Sequence, residues 1–252
     1  MPFRVGFDLD GTVADMYFAL HREAVKLFGE DVLRNAASKT QKVPSPVKDA
    51  ESKTAPLPDK ATRTEDDSTT TLAMQELHLT GRQQMQLWEH VKKVENFWTS
   101  LPELEPGIIL RIAKSARDRR WEVIFLTTRP STAGDLVQLQ SQQWLEAHGS
   151  QYPSVYVVQR SRGKIADALG LDAFVDDRPE NCLDIAVESK AKVILVWHGN
   201  VSDVPAGAKR LGVQPVTSIS EAMNLLERLD DIRNQPSLMR SIKRAFGAGD
   251  KG

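Results

Sequence analysis

Asp8 and Asp10 stand two residues apart in Asp8-Leu9-Asp10-Gly11-Thr12, directly after the apolar run Phe3-Arg4-Val5-Gly6-Phe7, which reads as a buried strand. A strand that stops at Asp-x-Asp and runs into Gly-Thr delivers both carboxylates to the loop at its carboxyl end, where open α/β sheets hold their ligands. One carboxylate can attack phosphorus and carry a covalent phosphoryl group, while the second donates a proton to the leaving oxygen and then activates water. Two carboxylates facing a phosphate in a desolvated pocket repel one another, so such a site also calls for a cation, and Mg²⁺ is the natural one. Asp, Gly and Thr are ordinary turn residues as well, so the motif taken alone also admits a purely structural reading.

Three further strand ends follow in an order that completes such a site. Val123-Ile124-Phe125-Leu126 reads as a second buried strand ending in Thr127-Thr128-Arg129-Pro130, whose hydroxyl and backbone donors suit phosphate oxygens. Tyr152 to Val158 reads as a third strand, after which Lys164 opens a short helix closed by Gly170 and offers a compact positive charge near the same sheet edge. Ala173-Phe174-Val175 reads as a fourth strand ending in Asp176-Asp177-Arg178-Pro179-Glu180-Asn181, a second acidic tip able to add an oxygen ligand to the metal.

In this order the sequence resembles the haloacid dehalogenase-like hydrolase superfamily, in which an Asp-x-Asp, a Thr or Ser, a Lys and an acidic pair follow one another at strand ends. The resemblance covers the whole core. It implies that Asp8 is the nucleophile and first metal ligand, and that Asp10 is the general acid/base, its backbone carbonyl also meeting Mg²⁺. It makes Asp177 the remaining protein ligand, Asp176 an orienting partner of the metal site, and Thr127 and Lys164 the holders of the transferring phosphoryl group. Thr128 competes with Thr127 for the hydroxyl role, because sliding the register by one residue gives an equally good loop. The Thr-x-Arg-Pro and Asp-Asp-Arg-Pro-Glu-Asn wording is nearest to the deoxyribonucleotidase-like branch. The activity so implied is that of a Mg²⁺-dependent phosphomonoester hydrolase working through an aspartyl-phosphate on a small phosphorylated metabolite, with a nucleoside monophosphate as first choice. A sugar-phosphate or phosphoglycolate-type phosphatase, or a phosphotransferase, is the alternative on the same intermediate. A catalytically silent scaffold is the alternative outside enzymes, and retention of both Asp8 and Asp10 argues against it. A phosphoacceptor receiver domain combines similar residues, but its acidic pair comes first and its Lys last, the reverse of the order here.

The implied fold is α/β, a doubly wound parallel sheet with a small helical cap inserted after the first strand. Residues 1–14 and 105–228 would form the core, 15–104 the cap, and 229–252 a basic tail. The 36–71 stretch contains Pro44, Pro46, Pro56 and Pro58 and no aromatic residue, which predicts a disordered insertion acting as a spacer. Asp15 to Gly29 reads as one cap helix, and Thr80-Gly81-Arg82-Gln83 reads as a capping box opening another that runs to about Trp98. Phe18, Trp88, Trp98 and Arg129 are the candidates for contacting substrate, the aromatics by stacking on a base. The alternative is that the aromatics pack the cap. His90 is expected to be a solvated helix residue. Thr132 to Gly149, Lys192 to Trp197 and Ser218 to Leu229 read as a helix, a fifth strand and a closing helix.

Composition fits this reading. The chain has 252 residues, 40% of them hydrophobic, enough for one full domain and an insertion. A net charge of −1 gives no clustered basic excess of the kind a nucleic-acid polymer needs. Cys182 is the only cysteine, which excludes an intramolecular disulfide and favours a cytoplasmic location. The first strand begins almost at Met1, leaving no room for a signal peptide, and no apolar run reaches membrane-spanning length, so no stable membrane association is expected. Ser237 to Phe246 could form a short basic amphipathic helix, with a frayed solvated tail as the simpler expectation.

Overall fold

The computed structural model describes residues 1–33 and 77–234. The 36–71 insertion and the Ser237 to Phe246 segment lie outside the described residues. In chain order the elements are β1 (Arg4–Asp8), α1 (Met16–Phe28), α2 (Gly81–Val91), a 3₁₀ turn (Phe97–Ser100), α3 (Ile108–Arg119), β2 (Glu122–Thr127), α4 (Val137–Ala147) and β3 (Ser154–Val157). They continue with α5 (Arg162–Ala168), β4 (Ala173–Asp176), α6 (Pro179–Glu188), β5 (Lys192–Val196), α7 (Ala206–Arg210), β6 (Gln214–Val216) and α8 (Ile219–Asn234).

All six strands are parallel, in the order β3-β2-β1-β4-β5-β6. This is the doubly wound arrangement, and the strand order reverses between β1 and β4, so the crevice for a ligand opens at their carboxyl ends. Two apolar layers cover the sheet. On one face Val5, Phe7 and Phe125 pack with Leu20, Ile109, Ile112, Trp144 and Met223. On the other, Leu126, Phe174 and Leu195 pack with Ala166, Cys182, Ile185 and Ala208. The central strands are covered on both faces, which is why they read as continuous apolar runs. Among the described residues, no helix is long and apolar enough to cross a membrane.

Helix α1 is set by its ends: the Asp15 side chain accepts from the Phe18 N–H at 2.8 Å, and the Gly29 N–H closes the last turn on the Val25 carbonyl. It buries Ala19, Leu20 and Ala24 and with them the carboxylate of Glu23. Burial would raise that carboxyl, but hydrogen bonds from Lys26, His90 and Arg22 outweigh it and hold Glu23 below its ordinary value. Because His90 Nε2 lies 3.1 Å from Glu23 Oε2, this residue ties α2 to α1 rather than standing free in solvent, as its place in a polar stretch implies. Helix α2 begins at the expected capping box of Thr80 and Gln83 but stops at Val91, short of Trp98. Beyond it Asn96 turns left-handed, with its N–H on the Ala133 carbonyl and its side chain accepting from the Asp135 N–H, so contacts with the 133–135 loop end the helix. The closing helix α8 instead runs past Leu229 to Asn234, where Asp230 accepts from the Trp121 indole at 2.9 Å.

Candidate active site

The two acidic tips meet at the switch point. Asp8 ends β1, Asp176 ends β4, and Asp177 follows it, and an oxygen from each lies within 4.8 Å of the others. All three are buried. Gly11 lets the turn after β1 close over this cluster. Its φ is +85°, and a Cβ built there would sit 2.3 Å from Asp177 Oδ2, so only glycine fits. Thr12 Oγ1 donates to Asp177 Oδ1 at 3.1 Å, and His198, in the loop after β5, lies with Nε2 3.1 Å from the Gly11 carbonyl. A carbonyl can only accept, so that imidazole nitrogen carries a proton.

Among the described residues, one cation answers the cluster. Arg162 Nη1 lies 2.6 Å from Asp8 Oδ1 and 2.5 Å from Asp176 Oδ2, and Nη2 donates to Thr128 Oγ1 at 3.0 Å. Asp176 is further held by the Arg178 N–H at 2.9 Å and by Asn181 Nδ2 at 3.1 Å. The negative charge is still undercompensated. Burial pushes the Asp8 carboxyl up to about 7, with the charges of Asp176 and Asp10 adding to the rise and Arg162 opposing it. Burial likewise raises Asp177 well above the usual carboxylate range, reinforced by Asp176 and Asp8. Burial would lower the Arg162 guanidinium, but the charges of Asp8 and Asp176 raise it instead. A buried set of hard oxygen donors held close together fits a hard divalent cation. Within this set Asp8 answers to Arg162 and Asp177 to the Thr12 hydroxyl, whereas Asp176 is already saturated by Arg162, Arg178 and Asn181.

Asp10 lies beside the cluster but faces another way, onto Arg129. The Arg129 Nε donates to Asp10 Oδ2 at 2.9 Å and Nη2 donates to Oδ1 at 2.7 Å, with Nη1 on Ser141 Oγ at 2.9 Å. The two threonines divide: Thr127 is buried, its hydroxyl 3.4 Å from Asp10 Oδ2, and Thr128 is exposed beside Arg162. Thr127 is the last residue of β2, and Thr128 opens the loop that follows it.

Lys164 is exposed, and no contact among the described residues joins its ammonium to the carboxylates. Successive helical residues are rotated by about 100°, so two positions on, Lys164 points about 200° away from Arg162. Gly163 sits between them against α6, where a Cβ would lie 2.3 Å from the Asp184 carbonyl oxygen, and this contact fixes which face turns inward. Of the aromatics, Trp98 is fully buried, its indole donating to the Pro130 carbonyl at 3.0 Å, and Trp88 is half-buried against the core. Phe18 is 53% exposed on the first turn of α1, next to Tyr17.

No protein-family model matches the sequence, and no curated protein matches it significantly. Among solved structures, a dehalogenase determined in an intermediate complex superposes at a TM-score of 0.50, with 15% identity over 89% of this chain and 96% of its own. The chain has the haloacid dehalogenase-like fold. Other similar structures are a putative β-phosphoglucomutase from Thermotoga maritima (TM-score 0.49, 15% identity, 90% of this chain and 99% of that one) and a predicted phosphatase from Clostridium acetobutylicum (TM-score 0.48, 15% identity, 91% and 98%). Within this haloacid dehalogenase-like fold, sequence reasoning missed Arg162, Asn181 and His198. Arg162 lies in the run Arg160-Ser161-Arg162-Gly163-Lys164, where composition gives no means of choosing among three cations. Asn181 belongs to the second acidic motif without standing out in it, and nothing in the sequence singles out His198.

Proposed function

We propose that this chain is a divalent-cation-dependent phosphomonoester hydrolase that works through an aspartyl-phosphate on Asp8, with Mg²⁺ as the cation. The observation that carries this reading is the meeting of Asp8, Asp176 and Asp177 around Arg162 at the switch point of the sheet, with Asp10 two residues from Asp8. Asp8 and Asp177 would hold the cation, together with the Asp10 backbone carbonyl, and Asp176 would orient Arg162. When bound, the cation neutralises the carboxylates and the non-bridging phosphoryl oxygens.

An Asp8 oxygen attacks phosphorus, the bond from phosphorus to the leaving oxygen breaks, and Asp10 supplies the proton that this oxygen takes up. Asp10, now ionised, takes a proton from water as the water attacks the phosphoryl group on Asp8, which releases phosphate and restores both carboxyls. Arg162, in place of the Lys164 that motif order suggests, would contribute the fixed positive charge, with Thr128 beside it and Thr127 holding Asp10. Displacement of halide from carbon by the same aspartate would need no cation cluster, so the acidic set favours phosphorus.

Helices α1 and α2, which bracket the insertion and pack on each other, would form the cap over the strand tips. Within these two helices Phe18 and Tyr17 are the exposed aromatics, and a nucleoside monophosphate, stacked on Phe18, is our first choice of substrate. The single buried thiol of Cys182 suits the reducing cytoplasm. The test is a panel of phosphate esters incubated with the chain and Mg²⁺, read by released phosphate. Hydrolysis lost on chelation supports the reading, and no release from any ester with any divalent cation contradicts it.

A further inference from the structure

Arg129 is enclosed on every side. Its side chain has no exposed surface, and Asp10 keeps 13% of its own. The guanidinium carbon lies 4.9 Å from the Trp98 ring centroid and 6.0 Å from that of Trp144. Both indoles are themselves fixed, Trp98 Nε1 donating to the Pro130 carbonyl and Trp144 Nε1 to the Leu101 carbonyl at 2.7 Å, while the Trp98 backbone N–H donates to Gln140 Oε1. Each of the three guanidinium nitrogens donates within the protein, two to Asp10 and one to Ser141. A substrate entering the crevice would therefore meet Asp10 and not Arg129.

We propose that Arg129 is a positioning residue that presets the plane and reach of the Asp10 carboxylate, and that the Trp98 and Trp144 indoles hold Arg129 in register for that task. The inference rests on the phosphatase reading of Asp10. An aspartate on a loop can rotate about two side-chain bonds, and a carboxylate that must serve the leaving oxygen and then a water gains rate from being held in one orientation. A planar fork engaging both oxygens does this. An ammonium, with a single point of charge, does not. The indoles add a second consequence: Trp98 belongs to the segment joining α2 to the core, so the ordering of that segment reaches Asp10 through one stacked side chain.

The test is a double-mutant cycle of Asp10→Asn, Arg129→Lys and both together, followed in steady-state hydrolysis of nitrophenyl phosphate with Mg²⁺ and, separately, in denaturant unfolding without substrate. Arg129→Lys is expected to lower kcat about tenfold or more while KM stays within about twofold, and Asp10→Asn to lower kcat on the order of a hundredfold. In the Asp10→Asn background the Arg129 change should cost no further rate, because nothing remains to be positioned. The unfolding midpoints should be non-additive in the same way. Ser141→Ala, a milder change, should lower kcat by a smaller factor that also vanishes in the Asp10→Asn background, which covers the case of an Arg129→Lys chain that does not fold. Rate losses that multiply, or a rise in KM with kcat unchanged, would overturn the proposal, since Arg129 would then act on the substrate or the fold in its own right. Additive unfolding in an active enzyme would overturn the clamp alone. A parent that releases no phosphate yet keeps the unfolding coupling would refute the phosphatase reading and this catalytic role with it.

Discussion

Burial holds the Asp8 carboxyl up at about 7 even with Arg162 2.6 Å away, which makes the proposed nucleophile a liability to the metal-free fold. A carboxyl raised in the folded state contributes stability that is present below its unfolded value, 3.8, and is lost as pH rises through about 7. In the absence of divalent cation, Asp8→Asn should therefore melt higher than the parent, with the gap widening from about pH 4 to about pH 7 and level above that. Added Mg²⁺ should raise the parent's Tm most at the upper end of that range, because its ligands must be ionised, and should barely move the variant. A constant gap across the range, or equal Mg²⁺ shifts, would show that Asp8 is neither buried in charge nor a ligand. The Arg162 assignment predicts its own split. Arg162→Met should cost on the order of a hundredfold in kcat, whereas Lys164→Met should change it less than about threefold, both read with an aryl phosphate. Asp8, Asp10, Asp176 and Asp177 were legible as candidates because two acidic tips follow apolar strands in one chain, although either tip alone could be a turn. Arg162 was not, since helix phase decides between it and Lys164 and that phase is set by the contact of Gly163 with Asp184 on a neighbouring helix.

At the scale of elements, the strands were the most legible. Apolar runs at Phe3 to Phe7, Val123 to Leu126 and Ala173 to Val175 each found their place, the observed strands running one residue further into the site. Helix ends governed by local chemistry also agreed, as at Asp15, Gly29 and Thr80. Ends governed by distant contacts did not: α2 stops where Asn96 engages the 133–135 loop, α4 starts late because Thr132 bonds the Gln140 side chain, and α8 is prolonged by the anchor of Asp230 on Trp121. The three-residue β6, interrupted by Pro215 at the sheet edge, carries too little pattern to be read. The turn after β1 is the element with most at stake. Gly11→Ala would force a left-handed residue to accept a methyl within the reach of Asp177, which should cost about 1 to 3 kcal/mol in unfolding and weaken Mg²⁺ binding at the same time. Unchanged cation affinity in a destabilised variant would separate the turn from the site.

For the whole molecule, the order β3-β2-β1-β4-β5-β6 explains why residues as distant in sequence as Asp8 and Asp177 meet in one cluster: β1 and β4 are neighbours although more than half of the chain lies between them. The helices that bracket the insertion meet through the His90–Glu23 contact, with Lys26 on the same carboxylate. Replacing residues 36–71 by a short Gly/Ser linker should accordingly leave Tm and the phosphate-release rate nearly unchanged, and a collapse of either would show that the segment contributes to the fold or the site. Most direct of all is a search for the covalent intermediate. Rapid-quench mass spectrometry of the Asp10→Asn variant, mixed with an aryl phosphate and Mg²⁺, should find one phosphoryl group on the peptide containing Asp8, formed faster than it is lost and missing when Asp8 is also changed to Asn. Turnover by the parent together with undiminished turnover in Asp8→Asn, and no phosphorylated peptide in either, would contradict an aspartyl-phosphate mechanism.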